Sequence, residues 1–89
     1  MLNPVRSSQF RKDLKKARRQ GKDMNELHAV ILALAEGRPL EERLRDHELS
    51  GNWRGYRECH VNPDWLLVYK VADDELKLAR IGSHRELFD

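Results

Sequence analysis

Trp65-Leu66-Leu67-Val68-Tyr69-Lys70-Val71 is nearly continuously apolar, and a strand of that composition belongs at the centre of a sheet, where both of its faces are covered. Its neighbours follow in quick succession. Trp53 to Cys59 alternates bulky and polar residues, and Glu75 to Ile81 alternates Leu76 and Leu78 with Lys77, the period of a strand whose two faces differ. Val61-Asn62-Pro63 and Ala72-Asp73-Asp74 are the turns between them. Connections this short join antiparallel neighbours, so the second half of the chain reads as a meander.

Upstream of the meander, Leu2 to Arg6 is a short strand. Pro4 confines it to a sheet edge, because proline has no N–H to give a central ladder. Ser7 or Ser8 caps a helix whose buried stripe is Phe10, Leu14 and Ala17, at i, i+4 and i+7, and Gly21 stops it. Asp23 opens a second helix with Glu26 three residues on, a variant of the capping box. Leu27, Val30, Ile31 and Leu34 are its apolar face, and it ends near Gly37-Arg38-Pro39. The short link makes the two helices an antiparallel hairpin. Leu40 to Asn52 is a loop with room for a helical turn at Glu41 to Leu44. The expected architecture is α+β, in the order β-α-α-β-β-β: an antiparallel sheet with the helical hairpin on one face and a short C-terminal helical turn at His84 to Phe88.

A chain of 89 residues is expected to form a single domain, residues 1–89, with a compact core. With 39% hydrophobic and 36% charged residues, it is polar but patterned, which argues for a soluble globular fold. No apolar run approaches the roughly 20 residues of a membrane span, and Met1-Leu2-Asn3-Pro4-Val5-Arg6 has no signal-peptide core, so a cytoplasmic protein is expected. The lone Cys59 fits a reducing compartment and a buried strand position. Formal net charge is only +2, yet Arg11 to Lys22 carries seven basic residues against one acid, Asp13. A helix face of one sign suits a polyanion, because neutralising phosphates releases counterions.

The chemistry-bearing residues sit in turns around the strands: Asp46-His47, His60, Asp64-Trp65, Arg80 and Gly82-Ser83-His84. Imidazoles can give or take a proton near neutral pH, their ordinary pKa being about 6.5. A guanidinium supplies a fixed fork for phosphate oxygens. These are the groups that cleave RNA without a metal. If Val61-Asn62-Pro63 is a three-residue loop, His60 and Asp64 lie across from each other. Two-residue pairing about Asp73-Asp74 then puts Asp64 opposite Ser83 and brings His84 to the same end, with Arg80 a few residues inside and His47 folding over from the preceding loop. Cys59 and His60 point to opposite faces of a strand and no paired ligand motif is present, which disfavours a metal site. His28, Trp53 and Tyr69 read as structural residues. Trp65 is either a core plug or a brace for the site, and Phe88 is the better candidate for stacking on a base.

The ordered set from Asp46-His47-Glu48-Leu49-Ser50-Gly51-Asn52-Trp53-Arg54-Gly55-Tyr56-Arg57 through His60-Val61-Asn62-Pro63-Asp64-Trp65 to Arg80-Ile81-Gly82-Ser83-His84 and Leu87-Phe88 resembles the YafQ-type toxins of the RelE superfamily. The resemblance extends to Ser8-Gln9-Phe10 and Lys22-Asp23-Met24. It implies a ribosome-dependent mRNA endonuclease, the toxin of a type II toxin-antitoxin pair, cutting the message in the ribosomal A site with no cofactor and no metal. Its catalytic positions fall on His47, His60, Asp64 and His84. It puts Arg80 at phosphate and Phe88 near the substrate base; Trp65 joins the substrate contacts if it braces the site, and the basic helix residues Lys12, Lys15, Lys16, Arg18 and Arg19 are placed by charge to meet 16S rRNA. The implied partners are ribosome-bound mRNA and a DinJ-like antitoxin, with operator DNA reached only through the antitoxin complex. ParE-type toxins, which share the superfamily fold and act on DNA gyrase, are the alternative; they lack this histidine set.

Overall fold

The computed structural model describes residues 1–88. In chain order the elements are β1 (Asn3–Arg6), α1 (Ser8–Arg19), α2 (Met24–Ala35), β2 (His47–Glu48), β3 (Arg57–Asn62), β4 (Trp65–Ala72), β5 (Glu75–Gly82) and α3 (His84–Phe88), with single 3-10 turns at Glu42–Leu44 and Gly51–Trp53. The strands form one sheet in the order β1-β5-β4-β3-β2, so β4 is central and β1 is an edge. Both positions follow from composition: β4 is apolar on both faces, and β1 carries Pro4.

Local chemistry explains the helices. Ser7 Oγ accepts from the Phe10 N–H at 2.9 Å, and the Asp23 carboxylate accepts from the Asn25 N–H at 2.9 Å, each satisfying a donor left over by the first turn. Gly21, at φ +76°, takes the left-handed conformation that releases the chain from α1. Phe10, Leu14, Leu27 and Val30 pack with Cys59, Trp65, Leu67, Tyr69, Leu76 and Leu78 into the main core between the helices and the sheet. Leu66 and Val68 point the other way and are covered by Leu87 of α3.

Four details depart from the expected topology. First, β1 runs parallel to β5, with Val5 opposite Lys77, so the sheet is mixed; no tight turn joins these two strands, so none dictates their direction. Second, His47–Glu48 forms a fifth strand on the edge of β3. Third, β3 begins at Arg57, because Trp53 ends a 3-10 turn and Gly55 adopts φ +92°. Fourth, the β3–β4 turn is the two-residue Pro63-Asp64, with Val61 as an extra residue in a bulge between His60 and Asn62. At the far end Asp73 and Asp74 both have positive φ, +53° and +61°, the signature of a type I′ hairpin turn. A second bulge lies in β5, where Val68 pairs with Arg80 but Tyr69 pairs with Leu78. Among the described residues no helix is long and apolar enough to cross a membrane.

Candidate active site

The helices cover one face of the sheet, and the opposite face, floored by Leu66, Val68 and Ala79, stays partly open. Side chains alternate along β3: Cys59 and Val61 face the helices, which turns Glu58 and His60 onto the open face. His47 arrives from β2 directly opposite Glu58. Its Nε2 lies 2.9 Å from Glu58 Oε2, and its Nδ1 lies 2.7 Å from the carbonyl oxygen of Arg45. A carbonyl only accepts, so Nδ1 carries a hydrogen and donates it. Nε2 faces the Glu58 carboxylate, which can only accept a proton or a hydrogen bond from the ring when ionised. Glu58 is buried, and its Oε1 has no partner among the described residues. A buried carboxylate oxygen left without a partner calls for an explanation beyond packing.

The loop carrying His47 is pinned from behind. Asp46 accepts from the Tyr69 hydroxyl at 2.6 Å and from Arg57 Nε at 3.2 Å. Burial, and then the neighbouring Asp46, push the Tyr69 phenol above its ordinary range, so it stays a donor. Arg45 takes a left-handed φ of +50°, which aims its carbonyl at the imidazole.

His60 is the cross-strand partner of Leu66, and Leu66 in turn is the partner of Gly82. Two residues beyond Gly82, His84 begins α3. That helix is fixed by a reciprocal cap: the Ser83 N–H donates to Glu86 Oε1 at 2.8 Å, and Ser83 Oγ accepts from the Glu86 N–H at 3.1 Å. Lys16 of α1 closes an ion pair on the same carboxylate. His84 and Phe88 lie one turn apart with their rings tilted at 51° and the ring centroids 5.2 Å from each other. Phe88 also packs against the Leu66, Val68 and Leu87 cluster. Thus β2, β3 and α3 bring His47, Glu58, His60, His84 and Phe88 to one face of the sheet.

A family model described as the bacterial toxin of type II toxin-antitoxin system, YafQ, matches residues 2–89. The chain belongs to the YafQ toxin family. It is 45% identical over 83 residues to the mRNA interferase toxin YafQ of Escherichia coli K12, a match covering 92% of this chain and 90% of that protein. A crystal structure of a copper-bound mutant toxin from Helicobacter pylori superposes with a TM-score of 0.95 at 48% identity, covering 99% of this chain and 100% of that one. YafQ in the crystal structure of the E. coli DinJ-YafQ complex superposes with a TM-score of 0.90 at 42% identity, covering 99% of this chain and 98% of that one.

Within this YafQ fold Asp64 and Arg80 sit differently from their sequence reading, and Trp65 takes the first of its two readings. Asp64 does not face His60 across a ladder; it occupies the exposed β3–β4 turn, where its N–H meets Asn62 Oδ1 at 3.3 Å, because the Val61 bulge shortens the loop to two residues. Trp65, 1% exposed, is a core residue on the helix side and offers substrate no surface. The bulge in β5 turns Arg80 toward α1, where Nε and Nη2 form a two-pronged bond to Asp13 at 2.9 and 3.0 Å. A phosphate that reaches Arg80 has to compete with this carboxylate. Asp13 holds the guanidinium pKa above its ordinary value.

Lys12, Lys15, Lys16, Arg18 and Arg19 all lie on the exposed side of α1. Lys12, Lys16 and Arg19 line a cleft of about 310 Å³ with Arg80. The sequence reading passed over Glu58, Asp13 and Glu86. A signal for Glu58 was present, since a carboxylate two residues before His60 shares its face in any strand. Glu86 carried a local signal too, as the fourth residue of a Ser83-x-x-Glu86 capping box, whereas Asp13 gave only a weak one, because its partner Arg80 lies far away along the chain. Cys59 is buried, which pushes its thiol up to about 12 and leaves it inert.

Proposed function

We propose that this chain is a ribosome-dependent mRNA endonuclease that cleaves the message in the A site without a metal, and that a DinJ-like antitoxin neutralises it. The observation that carries the reading is the gathering of His47, His60 and His84 on one sheet face, with Glu58 buried against His47. In the step envisaged, a ribose 2′-OH loses its proton and its oxygen bonds to the adjacent phosphorus. The bond to the 5′ oxygen breaks, and that oxygen takes up a proton, leaving a 2′,3′-cyclic phosphate and a 5′-OH.

The geometry suggests a division of labour. Both ring nitrogens of His47 are engaged, so it is suited to hold positive charge near the phosphate oxygens rather than to shuttle protons. His60 is the acceptor for the 2′-OH proton, with the Asp64 carboxylate on the adjoining turn to receive or orient it. His84, exposed at the start of α3, is the general acid for the leaving oxygen, and Phe88 beside it stacks on a base. The basic face of α1 supplies contacts to rRNA phosphates, while the ribosome holds the message in line.

Primer extension on translated mRNA tests this. Wild-type protein should produce discrete stops, and His84→Ala should lose about 10² to 10⁴ in cleavage rate while keeping its melting temperature. Undiminished cleavage by His84→Ala would remove His84 from the mechanism. A chelator arm addresses the copper-bound relative: cleavage that persists supports acid–base chemistry, whereas cleavage abolished by chelation and restored by copper favours a metal enzyme. DNA damage linked to gyrase, without cut mRNA, would instead point to ParE-like action.

A further inference from the structure

The open face continues beyond the histidines. Across β3, β4 and β5 it advances two residues at a time: His60, Leu66 and Gly82 form one row, and Glu58 and Val68 the next, with Ala79 packed beside them. Roughly 7 Å further along the strands, Lys70 and Lys77 stand as direct cross-strand partners. Leu67, Tyr69, Leu76 and Leu78 all face the helices, so both lysines project from the open side. Each is only half-buried. Lys70 Nζ sits 5.4 Å from the centroid of the Tyr56 ring, which attracts the ammonium without neutralising it. Among the described residues neither lysine forms an ion pair. Two carboxylates share this face, Glu58, engaged by His47, and Glu75, at the turn end of β5.

Like charges placed directly opposite each other on neighbouring strands are destabilising, and among the described residues no carboxylate pairs with either lysine to offset that cost. A polyanion laid on the face offsets it. α3 closes the other end, where Leu87 and Phe88 pack on Leu66 and Val68, so a strand crossing the histidines has its open path toward the lysines. We propose that Lys70 and Lys77 form a backbone-binding surface for single-stranded RNA, one step along the sheet from the scissile phosphate. The inference rests on the nuclease reading, which places the scissile phosphate among the histidines.

The test compares wild type with Lys70→Gln/Lys77→Gln and with Lys70→Arg/Lys77→Arg. The probe is a short single-stranded RNA, 2′-O-methylated throughout so that its attacking hydroxyls are blocked, bound across a salt series. The glutamine pair should raise Kd about tenfold at low salt and reduce the slope of log K against log salt by about 1.4, or ~0.7 for each phosphate no longer neutralised. The arginine pair should restore both. Removing two opposed charges should leave the melting temperature unchanged or higher, which a purely structural role would not do. Unchanged affinity and slope overturn the proposal. So does a glutamine pair that binds RNA normally but loses the antitoxin, because the face would then belong to that protein. Cleavage on translating ribosomes is read in parallel. If wild type cuts no mRNA, the nuclease reading fails and the salt slope alone decides the lysines; if wild type cuts and the slope is unaltered, only the lysine surface fails.

Discussion

At Asp13 one carboxylate accepts hydrogen bonds from Arg80 Nε and Nη2, from the Ile81 N–H at 3.2 Å and from Gln9 Nε2 at 3.0 Å. The acid is buried, and it ties α1 to the bulged stretch of β5 that leads into α3. Asp13→Ala strands a partly buried guanidinium and a buried N–H, so it should cost about 3 kcal/mol, read as a lower denaturation midpoint at unchanged slope. A destabilisation under about 0.5 kcal/mol, the range of an ordinary surface substitution, would show the pair to be dispensable. Tyr69→Phe removes the bond to the charged Asp46 and should cost about 1.5 kcal/mol. The same variant should slow cleavage, because the His47 loop loses its rear anchor; normal cleavage would detach that anchor from the site. These residues mark the limit of what local sequence reveals. In sequence Asp13 is the odd acid of a basic helix, and its partners lie 67 and 68 positions away. His47, His60 and His84 stood out as imidazoles beside expected turns, although the fold places them in β2, in β3 and at the start of α3. For Glu58 only the face it shares with His60 was legible; its pairing with His47 depends on a two-residue strand at His47–Glu48 that no periodicity announces.

Among the elements, α3 depends most on charge. Its five residues, His84–Phe88, are too few to hold a helix by backbone bonds alone. The cap from Ser83 and Glu86 and the ion pair with Lys16 supply the rest. The Lys16 ammonium first, and then the Ser83 N–H, draw the Glu86 carboxyl from an ordinary 4.5 down to about 2. A depressed carboxyl stabilises the folded form fully above its unfolded pKa and loses that contribution as pH falls. Between pH 4.5 and 2, α3 amide resonances should therefore move toward coil positions while those of β4 hold. In Glu86→Gln the transition should be absent and α3 frayed at neutral pH. An α3 that persists at pH 2 in the wild type would contradict this. The meander and both long helices were readable from apolar period and caps. The bulges at Val61 and Ala79 were not, since each is a tertiary adjustment: the first moves Asp64 into a turn, and the second swings Arg80 toward Asp13.

At the scale of the molecule the sheet divides the labour. One face packs against two helices and gives stability; the other gathers titratable groups, an aromatic and two lysines that form no ion pair among the described residues around a small apolar floor. The α+β class and the order of the elements other than β2 follow from pattern alone. The parallel pairing of β1 with β5 does not, because it joins the two ends of the chain. Charge is sided as well, with the basic face of α1 lining the cleft that also holds Arg80. On the proposed function, the open face is a metal-independent RNA-cleaving surface. End-group analysis of mRNA cut on translating ribosomes tests that most directly. The account predicts a 2′,3′-cyclic phosphate on the upstream fragment and a 5′-hydroxyl on the downstream one, both disappearing with His84→Ala. Fragments ending in a 3′-hydroxyl and a 5′-phosphate would contradict it, because water rather than the neighbouring ribose would then have attacked the phosphorus.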